Sequence, residues 1–110
     1  MTEARASFDH PIFSESIRLI RAALAAPSAA HTFDLGIWSP VEQDVFLRLI
    51  HSSGDLSLTK DVRFSEGACV AGLQALAAGA PILTDTAMAA AAVAPMARRT
   101  FGNGVHSVLD

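Results

Sequence analysis

Apolar residues recur at helical spacing near the start of the chain: Ile12, Ile17, Ile20 and Leu24, with Arg18 and Arg21 on other faces. The pattern predicts an amphipathic helix from about Ser14 to Ala25. Pro27 closes it, because proline disfavours a helical conformation in the residue before it. Pro27 to Ile37 mixes Pro, Ser, Gly and Asp and predicts a surface loop. A sharper signal follows. Ser39 can cap a helix, Pro40 suits its first position, and Glu42 sits where a capping-box acid belongs. Val41, Val45, Phe46, Leu49 and Ile50 then form one apolar stripe, so this helix is expected to run to about His51 or Ser52, with Gly54 just beyond.

Asp55 to Phe64 alternates only weakly, through Leu56 and Leu58, and fits either a short strand or an irregular turn of helix. Ser65, Glu66 and Gly67 then start a third helix carried by Cys69, Val70, Leu73, Leu76 and Ala77, which Gly79 is placed to end in a left-handed cap. The short apolar run from Pro81 to Asp85 predicts a buried parallel strand with Asp85 at its carboxyl end. Thr86 to Val93 is alanine-rich and predicts a helix that Pro95 breaks. Gly102 and Gly104 prepare a turn into a second strand, Val105 to Leu109. Helices alternating with short apolar strands predict an α/β fold, layered helix/sheet/helix with a mostly parallel sheet. Two or three strands are too few for a self-sufficient sheet, and the chain stops as the last one finishes. The expectation is an incomplete sheet: part of a larger domain, or a subunit that completes its sheet with another chain.

The 110 residues suffice for one small domain with one core, and about half of them are apolar while 17% are charged, which excludes disorder by composition. A net charge of −3 argues against a general nucleic-acid binder, and the one basic doublet, Arg98 and Arg99, is too small to change that. Cys69 is the single cysteine, so no internal disulfide can form and a reducing, cytoplasmic setting is expected. The first residues lack the apolar core of a signal peptide. The longest apolar stretch, Ala87 to Ala97, spans about half of the roughly 20 residues a membrane helix requires. A soluble protein with no membrane partner is expected.

His51 is the first residue to weigh for chemistry. A histidine in the last turn of a helix interacts well with the negative end of the dipole and needs no further role. An imidazole can equally give and take a proton near neutrality, and the small polar segment Ser52 to Asp55 lets the ring face a cleft. Both readings stand at this point. His10, His31 and His106 lack the spacing of a zinc site, so no metal is expected; the first two read as loop residues and His106 as pointing outward from its strand. Asp85 either contacts a ligand at the end of its strand or caps the following helix. There is no Gly-x-Ser-x-Gly elbow for Ser16, Ser52 or Ser53, and no dinucleotide or phosphate-loop motif.

Taken in order, several segments resemble the precorrin-8X and cobalt-precorrin-8 methylmutases: His10 to Arg21; the capped helix ending in Arg48-Leu49-Ile50-His51; Phe64-Ser65-Glu66-Gly67-Ala68; and Gly79-Ala80-Pro81-Ile82-Leu83-Thr84-Asp85-Thr86-Ala87-Met88. Arg99 to Asn103 is similar to the turn some members carry before the next strand. The resemblance covers roughly His10 to Asp110 and the amino-terminal half of such a domain. It implies an isomerase of cobalamin biosynthesis that moves a methyl group from carbon 11 to carbon 12 of a corrinoid precursor. The product would be hydrogenobyrinate, or cobyrinate when cobalt is already inserted. It implies His51 as proton donor and acceptor, Ser16 as a substrate-contacting residue, no cofactor, and a homodimer. Arg48, one turn before His51, reads either as a partner for a substrate carboxylate or as a solvated helix-surface arginine, and Asp85 keeps the substrate contact that its place at the strand end suggests beside the capping role. Where family members usually have a glycine four residues after the motif methionine, this sequence has Ala92. A short relative that binds a corrinoid or another subunit without catalysis is the alternative.

Overall fold

A computed structural model of the chain describes residues 10–26 and 33–109. They fall into two compact units, divided between Ser65 and Glu66, and each is described by itself.

In the first unit, α1 spans Pro11–Ala25 and α2 spans Pro40–Ser53, packed against each other. α1 starts three residues earlier than the apolar spacing predicts. His10 is its N-cap: the Ile12 N–H donates to His10 Nδ1 at 3.1 Å, and Pro11 takes the first helical position. A capping imidazole is an uncommon choice, which is why the pattern misses it. Pro27 and His31 lie outside the described residues.

α2 has the full capping box. The Glu42 N–H donates to Ser39 Oγ at 3.3 Å and the Ser39 N–H donates to Glu42 Oε1 at 2.9 Å. Its far end closes on Gly54 at φ +70°, a left-handed position that a side chain would strain.

The core of this unit is Leu24, Phe46, Leu47 and Ile50, with Ile17, Ile20, Phe33, Leu35, Trp38, Leu56, Leu58, Val62 and Phe64 packed around it. Two corrections to the expected stripe follow. Leu47 is buried, whereas Val45 and Leu49 are 39% and 43% exposed, so the buried face of α2 is rotated towards Leu47. Residues 33–38 also contribute more than a surface loop. The Phe33 N–H returns to the Leu24 carbonyl at 2.9 Å, Leu35–Ile37 forms a 3₁₀ turn capped by Asp34, and Phe33 and Trp38 stack around Phe46. The undecided segment after α2 is a 3₁₀ helix, Leu56–Lys60, opened by Asp55, whose carboxylate accepts from the Ser57 N–H.

The second unit holds α3 (Ala68–Ala77), β1 (Ile82–Thr84), α4 (Ala87–Arg99) and β2 (Val105–Ser107). The strands pair in parallel, with Ile82 opposite Val105 and Thr84 opposite Ser107. This is a β-α-β unit with α4 packed on both strands, and it gives the α/β class with a two-stranded sheet among the described residues. The sheet is open: Leu83, expected to be buried, is exposed, because only Ile82 and Thr84 turn to the partly covered face.

α3 ends in a Schellman arrangement on Gly79 at φ +94°, with the Ala80 N–H on the Ala75 carbonyl and the Gly79 N–H on the Leu76 carbonyl. Asn103, buried, donates from its amide nitrogen to the Leu76 and Ala80 carbonyls, both at 2.8 Å, and so ties this helix end to the turn before β2. Pro95 does not break α4, which continues to Arg99. Proline removes one backbone hydrogen bond there, but Ala97 is buried beyond it and carries the helix on. Ala92 lies within α4 with its side chain exposed, and no non-glycine residue among those described has positive φ. The alanine is therefore free of the backbone strain that a glycine-only position would impose.

Candidate functional site

α1 and α2 bring together side chains 35 positions apart. Ser16 Oγ and His51 Nδ1 are 2.8 Å from each other. Ser16 projects from the second turn of α1, and His51 from the last turn of α2, next to the buried Ile50. The packing of Leu24 and the α1 residues Ile17 and Ile20 against Phe46, Leu47 and Ile50 fixes the distance between the two helices. The polar pair sits at the edge of that seam.

Beside the pair lies a cleft of about 300 Å³. Leu19, Ile20 and Ala23 line it from α1, Ile50 and His51 from α2, and Gly54 and Leu56 from the segment that follows. The cleft is thus apolar apart from Ser16 and His51. A pocket with few polar groups aimed at one place orients a ligand while its walls hold apolar surface.

Two further side chains meet at the same place. The Phe13 and His51 rings pack edge to face, with centroids 4.8 Å apart and planes at 81°. The Arg48 guanidinium carbon stands 4.3 Å from the centroid of the Phe13 ring. Of the residues the sequence singles out, Ser16, Arg48 and His51 therefore gather here. Phe13, Leu19, Ala23 and Leu56 join them without any motif in the sequence to announce it. Phe13 carried a signal, since it lies three residues before Ser16 and so on the same face of α1. On the neighbouring face Arg18 donates two hydrogen bonds to Glu15. Those bonds, with the attraction between the charges, hold the Glu15 carboxyl below its usual range and raise Arg18. The pair is solvent-exposed and adds little to stability.

Asp85 belongs to the second unit. It is exposed, and its carbonyl accepts from the Leu109 N–H at 3.2 Å. It does not cap α4; Thr86 does, with its hydroxyl accepting from the Ala89 N–H at 3.2 Å. His106 is exposed on β2, as expected. Among the described residues no three His, Cys, Asp or Glu side chains gather as a metal site would require, and no helix is long and apolar enough to cross a membrane.

Comparison with known proteins agrees on one family. The family described as CbiC, precorrin-8X methylmutase, matches residues 11–110. The precorrin-8X methylmutase of Pseudomonas aeruginosa is 51% identical over 47 residues, covering 43% of this chain and 23% of that protein. The precorrin-8X methylmutase of a Sinorhizobium species is 35% identical over 98 residues, covering 89% of this chain and 42% of its own. The chain thus spans less than half the length of these curated relatives. No solved structure matches it significantly.

Proposed function

Because the chain belongs to the precorrin-8X methylmutase family, we propose that it serves the methyl shift of that family, with His51 as the proton-transfer residue of a corrinoid site between α1 and α2. The substrate is precorrin-8X or its cobalt-containing counterpart, and the methyl group moves from carbon 11 to carbon 12. The observation that carries this reading is the 2.8 Å contact between Ser16 and His51 at the mouth of an apolar cleft.

The contact has a chemical consequence. When the Nδ1 proton of His51 is donated to Ser16 Oγ, Nε2 is the nitrogen left to exchange protons. The imidazolium gives the Nε2 proton to a ring nitrogen of the macrocycle, the methyl group migrates, and the proton returns to Nε2. Nothing is consumed, as an isomerisation requires, and no change of tautomer is needed at any step. The serine orients the ring, and proton transfer depends on such orientation.

Ligand pockets of drug-like molecules span roughly 300–1,000 Å³. A cleft at the bottom of that range takes one edge of a macrocycle against Leu19, Ile20, Ala23 and Leu56. Arg48, one turn before His51, supplies a cation for a peripheral carboxylate of the substrate. Asp85 is proposed as a further polar contact. Residues 1–110 are read as a single domain, the amino-terminal half of a methylmutase domain, working in the cytoplasm as a homodimer.

The test is to mix the chain with precorrin-8X and follow the absorbance change that accompanies the methyl shift. Turnover is expected. Tight corrinoid binding without turnover would reject the enzyme and leave a non-catalytic corrinoid-binding relative. Neither binding nor turnover would reject both.

A further inference from the structure

An exposed imidazole held by a single hydrogen bond loses its orientation whenever that bond opens and the side chain swings to another rotamer. His51 is exposed and has Ser16 on Nδ1, so a second contact that survives the opening of that bond keeps the ring in one rotamer for proton transfer. Phe13 provides it. Its ring meets the imidazole edge to face at 4.8 Å, and the Arg48 guanidinium lies 4.3 Å from the same ring's centre. The spacing explains how one side chain does both. Phe13 and Ser16 are three residues apart on α1, and Arg48 and His51 are three apart on α2, so each pair shares a helix face and the two faces meet.

We propose that Phe13 is a positioning residue: its ring sets the plane of the His51 imidazole against Ser16 and holds the Arg48 guanidinium beside the same site. Edge-to-face packing is directional because the ring's edge is positive and its face negative, and a guanidinium is attracted to an aromatic face for the same reason. An aliphatic side chain of similar bulk fills the space but supplies neither attraction. The ring also restrains a long, flexible arginine, so the cation does not have to be ordered anew when a substrate carboxylate arrives. The catalytic consequence rests on the role proposed for His51; the positioning itself does not.

Nuclear magnetic resonance on the ¹⁵N-labelled chain tests the positioning without any substrate. In the unsubstituted protein, through-space contacts between the Phe13 and His51 ring protons are expected. The His51 ring protons should also show through-space contacts to the Ser16 side chain. Phe13→Leu should weaken the contacts between the His51 ring and Ser16, and Phe13→Tyr should restore them. Missing ring contacts in the unsubstituted protein would overturn the proposal, as would a Phe13→Leu signature equal to that of the parent.

In the methyl-shift assay, Phe13→Leu should lower kcat by about 10- to 100-fold, the scale of a small misplacement of a reacting group, while Phe13→Tyr recovers most of it. If the unsubstituted chain shows no turnover but the spectral contrast holds, the isomerase reading fails and the positioning stands. If turnover occurs and Phe13→Leu changes neither kcat nor the spectrum, the positioning fails and the isomerase reading stands.

Discussion

Replacing His51 with alanine is expected to slow the methyl shift by about 10²- to 10⁴-fold, the usual cost of losing a positioned general acid. The fold should tolerate the change. His51 is exposed, in the last turn of α2, and the buried residue beside it is Ile50. The loss should therefore appear in kcat, with unfolding by urea almost unchanged. Ser16→Ala should cost less, because the ring keeps its proton-transfer nitrogen and loses only the partner on Nδ1. An alanine variant at position 51 that turns over like the parent would remove His51 from the mechanism.

The second large effect is on stability. Phe46 is fully buried between Trp38 at 4.8 Å and Phe33 at 6.0 Å, centroid to centroid. Phe46→Ala should cost about 3–5 kcal/mol, since it leaves a cavity that the surrounding rings can only partly fill. Domains of this kind are stable by roughly 5–15 kcal/mol in total, so the loss is a large fraction of the total and, at the low end of that range, most or all of it. Urea unfolding followed by Trp38 fluorescence reads this directly, because the indole packs on the deleted ring. A shift below about 1 kcal/mol would mean that the α1–α2 seam is not held by this cluster. The two predictions are linked. The seam that buries Phe46, Leu47 and Ile50 is also what sets Ser16 against His51.

Much of this site is written locally in α2. Ser39, Pro40, Glu42 and Gly54 carry their own capping chemistry, so both helix ends are visible in the sequence, and with them the place of His51 in the last turn. The parallel pairing of β1 and β2 around an alanine-rich helix is legible for the same reason, through glycine caps and short apolar runs. Contacts between distant segments are not. No spacing rule joins Ser16 to His51; Ser16 enters through the family resemblance alone, and only the packing of the helices shows the contact. Phe33, Trp38 and Phe64 sit in segments without periodicity, so nothing marks them as wrapping the core. Leu47 falls outside the single apolar stripe that Val45 and Leu49 define, and burial follows the partner helix rather than the best-fitting stripe. Pro95 shows the converse: a strong local rule yields to packing further along α4.

The central claim is that a corrinoid edge occupies the cleft bounded by Ser16 and His51. Titrating the stable product, hydrogenobyrinate, into the ¹⁵N-labelled chain tests it most directly. The account predicts that amide shifts move at Ser16, Ile20, Ala23, His51, Gly54 and Leu56, around the cleft. Shifts confined to residues 66–109, or none at saturating ligand, would contradict it.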